Sequence, residues 1–415
     1  IEARTADVVI FDIVHGPATT PEVDGALVTI SSYGLDGPAA GRFGGELIAA
    51  ASGGLLGTIE PSGGGRPVSP PGSVALRAVG SVAALASLHG LEESRRRRGS
   101  VAVDVSAQEA VAFTGALPEC AHVLFRCPGR AGSGRYVAPS GTFPCLDGFV
   151  RITAVENHQW RGMVTVLGEP EWTEGLDDRP ARAERAAEIT ERVAGWTRGQ
   201  GKDACARMLQ EQGVPATPVN TPAELLHADQ LLHRGSIETV DLSGQTIQVL
   251  REPWQLRLGE TEISRPAGVS GLRVVELTHV LAGPIVGELL GAIGAEVVRL
   301  EDLDRLDIYR RTGPFADGVA GEERGAYFAV ANHSKRSVAA AGDELVACAS
   351  QLLANSDVLI ENVGTRRLDR LGIDEANLAD RGVLSARLSG FGIDGPLAAY
   401  RVYANNVQAY GGLMW

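Results

Sequence analysis

Two passages of this chain are near-copies of one another. "GALVTISSYGLDGP" begins at Gly25 and "GVLSARLSGFGIDGP" at Gly382, so that Leu388 answers Ile30 at a distance of 358 residues (388 − 30). The flanks agree too: "ADVVIFDIV" (6–14) parallels "SDVLIENVG" (356–364), and "AAGRFGG" (39–45) answers "LAAYRVYANN" (397–406). Whatever architecture one copy adopts, the other must share. The chain therefore reads as a window across two tandem copies of one domain, the first lacking its beginning and the second its end. It opens without an initiator Met and stops at "GGLMW", as such a window would. A circularly permuted single domain would explain the order of the halves, not the doubled segments.

The second copy shows what is repeated. "LRVVEL" (272–277), "AEVVRLE" (295–301), "RSVAAA" (336–341), "DVLIEN" (357–362) and "GVLSARLSGF" (382–391) are short runs rich in β-branched residues. They alternate with helix-spaced stretches such as "PIVGELLGAIG" (284–294) and "DELVACASQLLAN" (343–355). Strands apolar on both faces imply a parallel sheet covered on both sides. Right-handed crossovers then give a Rossmann-like, doubly wound parallel sheet. In the first copy, "SVALRAVGSVAALASLHGL" (74–92) reads as a helix and "SVAVDVS" (100–106) as a strand. Beyond Pro118 the texture changes: "SGRYVAPSGTFPCLDGFVRITA" (133–154) reads as short antiparallel strands with turns, followed by helices.

The expected class is thus α/β, a Rossmann-like sheet with a smaller α+β domain, in tandem copies. Residues 1–118 are read as the C-terminal part of the first large domain and 119–235 as its small domain. Residues 236–270 are read as a returning segment and linker, and 271–415 as the N-terminal part of the second copy.

Composition excludes several functions. At 415 residues, 44% apolar and 21% charged, the chain is globular and too long for one core. A net charge of −13 argues against nucleic acid or an anionic membrane as partner, and the run Arg95–Arg98 reads as a solvated loop. Five cysteines show no metal-ligand spacing, which favours a reducing compartment and no metal. No uninterrupted apolar run reaches about 18 residues, and the start lacks the features of a signal peptide. A soluble, cytoplasmic protein is expected.

The motifs "VVELTHVLAGP" (274–284), "NHSKRSVAA" (332–340), "DVLIENV" (357–363), "LDRLG" (368–372) and "SGFGIDGP" (389–396) resemble the class III CoA-transferase family, which includes formyl-CoA transferases, carnitine CoA-transferases and α-methylacyl-CoA racemases. The first copy adds "GSVAVDVSAQEA" (99–110), "FPCLDGFVRI" (143–152), "QGVPATPVNTPAELL" (212–226) and "REPWQL" (251–256), all in the family's order. The resemblance implies acyl-CoA and a carboxylic acid acceptor as substrates, with interlocked homodimers for which a tandem chain would be a pseudo-dimer. It implies nucleophilic catalysis, in which an Asp carboxylate attacks the thioester and forms a mixed anhydride that CoA re-forms on another acid.

That Asp begins a helix of the form D-x-x-x-G. In the first copy the Gly matches Gly80, and Leu76 stands where the Asp belongs, with no Asp or Glu between Glu60 and Glu92. Leucine cannot attack a thioester, so the first copy reads as silent. In racemases of the family a His assists, and Gly45 falls near its place. No catalytic residue is assigned, because the matching segment of the second copy would lie beyond Trp415. The resemblance places CoA contacts on Leu281, Ala282, Ala340, Ala341, Asn362, Val363, Gly364, Arg370, Arg401, Val402, Tyr403 and Ala404. Two departures stand out. An expected Arg is Asp302, which would repel phosphate, and a Gln of formyl-CoA transferases is Leu281, which argues against oxalate-type chemistry. His279 and Asp104 are expected to be structural. Two alternatives remain open: an acyl-CoA racemase or epimerase, and a non-catalytic CoA-binding pseudoenzyme.

Overall fold

The structure is a computed structural model describing residues 5–14, 21–58, 66–115, 122–127, 138–257 and 268–415. The chain forms two compact units. One combines residues 1–132 with 259–387, and the other combines 133–258 with 388–415.

The first unit contains two parallel sheets. Strands β1 (Val8–Asp12), β2 (Ala26–Ser31) and β3 (Val101–Ser106) lie side by side in that order. The helix Val74–Arg97 packs along β2 and β3 through Ala75, Val79, Ala83 and Gly90. It alone among the described residues is long and apolar enough to cross a bilayer. Polar Ser, His and Arg residues break up its sequence, and its small-residue stripe faces the sheet, so it reads as a layer of this fold.

The second sheet holds β9 (Arg273–Leu277), β10 (Glu296–Asp302), β11 (Arg336–Ala340), β12 (Val358–Glu361) and β13 (Leu384–Arg387), ordered β11-β10-β9-β12-β13 and parallel throughout. Val275, Leu277, Leu300 and Leu359 bury one face beneath the helix Gly342–Leu353 and the chain from Leu368 to Val383. The helix Ala282–Ala292 packs against β9, β10 and β12. Burial on both faces explains the near-continuous apolar strands. The order is that of a Rossmann half, with its topological switch point between β9 and β12.

The repeat persists in three dimensions. Val8 pairs with Ala26 between β1 and β2, and its repeat mate Val358 pairs with Leu384, the mate of Ala26. The helices Glu46–Ser52 and Ala404–Tyr410 begin and end at equivalent positions.

In the second unit β4 (Ser140–Cys145), β5 (Gly148–Thr153) and β6 (Ala216–Pro218) form an antiparallel sheet. Phe143, Val150, Ile152, Trp160, Met163, Ile189 and Leu209 make its core. A hairpin, β7 (Ile237–Leu242) and β8 (Gln245–Leu250), follows. The helix Ala404–Tyr410 lies on β5 and β6. Its Asn406 donates to the carbonyls of Arg151 and Pro215 and accepts through its own carbonyl from Thr217 Oγ1.

Candidate functional site

At the carboxyl edge of the five-stranded sheet, the chain leaves β9 through Thr278, His279 and Val280 into the helix Ala282–Ala292, of which Leu281 is the N-cap. Val280 sits at φ 67°, a strained value for a β-branched residue, and its N–H is held by Asp307 Oδ2 at 2.9 Å. Across the switch point, Asn362 Oδ1 accepts from His279 N and its Nδ2 donates to His279 O, both at 2.8 Å. This clasp joins the two strand ends where they diverge.

Below the loop lies a buried ionic network. Arg299 of β10 donates to Glu276 of β9 at 2.7 Å, to Asp307 at 2.8 Å, to Asn332 and to the Thr278 carbonyl. Lys335 pairs with the other oxygen of Glu276 at 2.8 Å and donates to the Pro284 carbonyl. Burial lowers the Lys335 ammonium, with Glu276 opposing. The signal was present in the sequence as single charges inside otherwise apolar strands, the Glu of "VVEL" and the Arg of "VVRL". Gly287 makes room for the network, since a Cβ there would lie 1.9 Å from Glu276 Oε2.

Leu281, Ala282, Ala340, Ala341, Asn362, Val363 and Gly364 all fall on this edge, at the ends of β9, β11 and β12. Gly364 has φ 83°, a left-handed turn into the helix Thr365–Arg370. The Val363 and Gly364 N–H groups both donate to Glu361 Oε2, whose other oxygen receives Arg387 Nε at 2.6 Å. Arg370 closes that helix, exposed and without an ion-pair partner among the described residues; Arg305 and Arg366 are equally unpaired. Arg401, Val402, Tyr403 and Ala404 belong to the other unit. There the Arg401 backbone exchanges two hydrogen bonds with Gln210, and Gln159 Nε2 donates to the Tyr403 hydroxyl at 3.1 Å.

Asp302 does not present a bare negative charge, as the sequence suggested. It pairs with Arg367 and caps Asp304. His279 is two-thirds buried, with Nδ1 3.9 Å from Asp307 Oδ2. Burial pushes its imidazole down to about 4 against the pull of Asp307, so it is neutral at neutral pH. Asp104 accepts from Leu35 N at 2.8 Å and ties β3 to the turn after β2.

In the first copy Leu76 lies in the first turn of the helix Val74–Arg97. Ser73, at φ 53°, gives that helix no side-chain cap. Glu46 does so from outside, its two oxygens accepting from Ala75 N at 2.9 Å and Leu76 N at 2.8 Å. A carboxylate therefore stands at this helix end, tied to backbone donors and the positive end of the helix dipole. Sequence spacing carries no sign of it, because the cap comes from a separate element.

The model of CoA-transferase family III matches residues 22–267 and again 269–415. The chain belongs to that family. Over 157 residues it is 35% identical to a succinate–glutarate CoA-transferase of Agrobacterium fabrum, covering 36% of this chain and 39% of that protein. Over 427 residues it is 27% identical to a probable CoA-transferase of Mycobacterium tuberculosis, covering 93% of this chain and 53% of that protein. The family member thus spans about half the length, or less, of these relatives. Its fold matches a CaiB/BaiF family protein from Brucella suis, with TM-score 0.50, 24% identity, and 60% and 69% of the two chains covered.

Proposed function

We propose that this class III CoA-transferase-like chain acts on acyl-CoA thioesters and moves CoA between carboxylic acids, with CoA held at the carboxyl edge of the second copy's sheet. The observation that carries this reading is the set of unpaired arginines there: Arg305, Arg366 and Arg370 are exposed, while Arg367 compensates Asp302. A diphosphate needs such donors. The Val363 and Gly364 N–H groups are engaged by Glu361, which leaves the guanidinium groups to meet the phosphates. The first copy is read as silent: Leu76 has no reacting group, and the nearby Glu46 carboxylate is spent on the helix end.

Calorimetry and a transfer assay test both halves of the reading. CoA is expected to bind the chain, and Arg305→Ala with Arg366→Ala to weaken it about tenfold or more, about 1.4 kcal/mol. Added salt should weaken binding in the parent protein more than in the double variant. Acyl-CoA donors incubated with carboxylate acceptors should give new acyl-CoA species, at a rate that Leu76→Ala leaves unchanged. Absence of CoA binding would overturn the whole reading. Binding without exchange would favour the non-catalytic alternative, for which Leu76 and its Glu46 cap already speak.

A further inference from the structure

Most guanidinium groups inside this protein are well supplied with oxygen acceptors. Arg299 has Glu276 and Asp307, Arg310 has Glu301, and Arg387 has Glu361 and Glu375. Arg182 gives three hydrogen bonds, to the Leu176 and Asp177 carbonyls and to Asn157 Oδ1. Arg151 of β5 is different. Its side chain makes one hydrogen bond, from Nη2 to the Ser140 hydroxyl at 3.1 Å, and has no carboxylate partner among the described residues. Its Nε is sealed from solvent and donates to nothing. Burial alone pulls this guanidinium below its ordinary value, with no neighbouring charge acting on it. The stretch 128–137 before β4 contains no Asp or Glu. A cation so placed costs free energy until an anion meets it.

Its surroundings are suited to that anion. Along β5, Val150 and Ile152 enter the core, so Arg151 and Thr153 lie on the opposite face. The register sets Thr142 and Thr217 beside Arg151, and Ser140 beside Thr153. The Thr217 hydroxyl already donates to the Asn406 carbonyl. Thr153 Oγ1 is buried and, like Arg151 Nε, has no partner. The helix Ala404–Tyr410 packs on this face over β5 and β6, while Thr142 of β4 stands exposed. Arg151 Nη1 also donates to nothing among the described residues, and it is not one of the sealed atoms.

We propose that this face of the α+β unit is a binding site for the carboxylate of a small organic acid. The Arg151 guanidinium pairs with it, the Thr153 and Ser140 hydroxyls flank it, and it enters beside Thr142. Charge sets the preference. One guanidinium among neutral hydroxyls matches a single carboxylate and leaves a phosphate dianion half compensated. The carboxylate has two possible sources, a monocarboxylic acid or one end of a dicarboxylic acid. The inference rests on packing within one unit, and it stands or falls separately from the CoA reading.

Calorimetric titration of the whole chain with acetate, succinate and inorganic phosphate, at fixed ionic strength, tests it. Acetate or succinate should saturate a site that phosphate fills about tenfold more weakly or not at all. Tighter acetate would mark a monocarboxylate site, and tighter succinate a dicarboxylate site. Arg151→Met should weaken acid binding about tenfold or more, and Thr153→Val a few-fold. Arg305→Ala with Arg366→Ala should leave it unchanged, which separates this site from the arginines assigned to CoA. Thr153→Val is nearly isosteric, so it decides the matter should Arg151→Met fail to fold. No saturable binding of either acid, phosphate binding as tightly, or acid binding unchanged in folded Arg151→Met or in Thr153→Val would each overturn the proposal.

Discussion

His279 takes part in two interactions at the strand junction without carrying a charge. Its backbone is clasped by Asn362 and its ring is packed near Asp307. Because burial holds the folded-state pKa near 4, below the usual value of 6.5, the unfolded chain binds the extra proton between those limits. The stability that follows is complete above about pH 6.5 and is lost as pH falls towards 4. Urea titrations from pH 7 to 4 should show that decline, and His279→Asn should flatten the part of it that His279 contributes. A variant with the same slope as the parent would refute the assignment. The residue scale is also where sequence reading falls shortest. Asp302 looked repulsive because nothing in the chain order places Arg367 beside it, and the cap from Glu46 leaves no sequence signal because the helix it caps starts in a separate element.

At the scale of elements the sequence is far more legible. The runs at 272–277, 295–301, 336–341 and 357–362 match β9 to β12 within a residue or two, since buried parallel strands leave an apolar, β-branched record. Seven of the residues that the family resemblance assigns to CoA share one sheet edge, where strand ends in this topology converge on a crevice. Of the ionic layer only the lone charges Glu276 and Arg299 were visible, because periodicity shows that a strand is buried without showing which helix covers it. Gly287 of the helix Ala282–Ala292 leaves room for the Glu276 side chain of β9. Gly287→Ala would push a methyl into Glu276 and part it from Arg299 or Lys335, and breaking such a buried pair costs about 3–5 kcal/mol. Chemical denaturation should register a loss of that size, and a change under 1 kcal/mol would show that the network tolerates displacement.

For the whole molecule, what matters is how the chain is shared between its units. Residues 388–415 repeat the first copy's 30–57 in sequence, yet they group with the α+β domain, while 30–57 remain with their own sheet. Sequence order could reveal the duplication; it could not reveal that the equivalent pieces end up with different neighbours, since that depends on which domain covers which helix face. Such an arrangement also bears on synthesis. Arg151 leaves the ribosome 255 residues before Asn406, the side chain that donates to its carbonyl, so β5 stands without that cover until the second copy's segment emerges. Ribosome-bound chains arrested after residue 387 should therefore be cleaved by protease within 138–257, and chains that have released 388–415 should resist. Until residues 388–415 are made, β5 and β6 lack the helix Ala404–Tyr410 that lies on them in the finished fold.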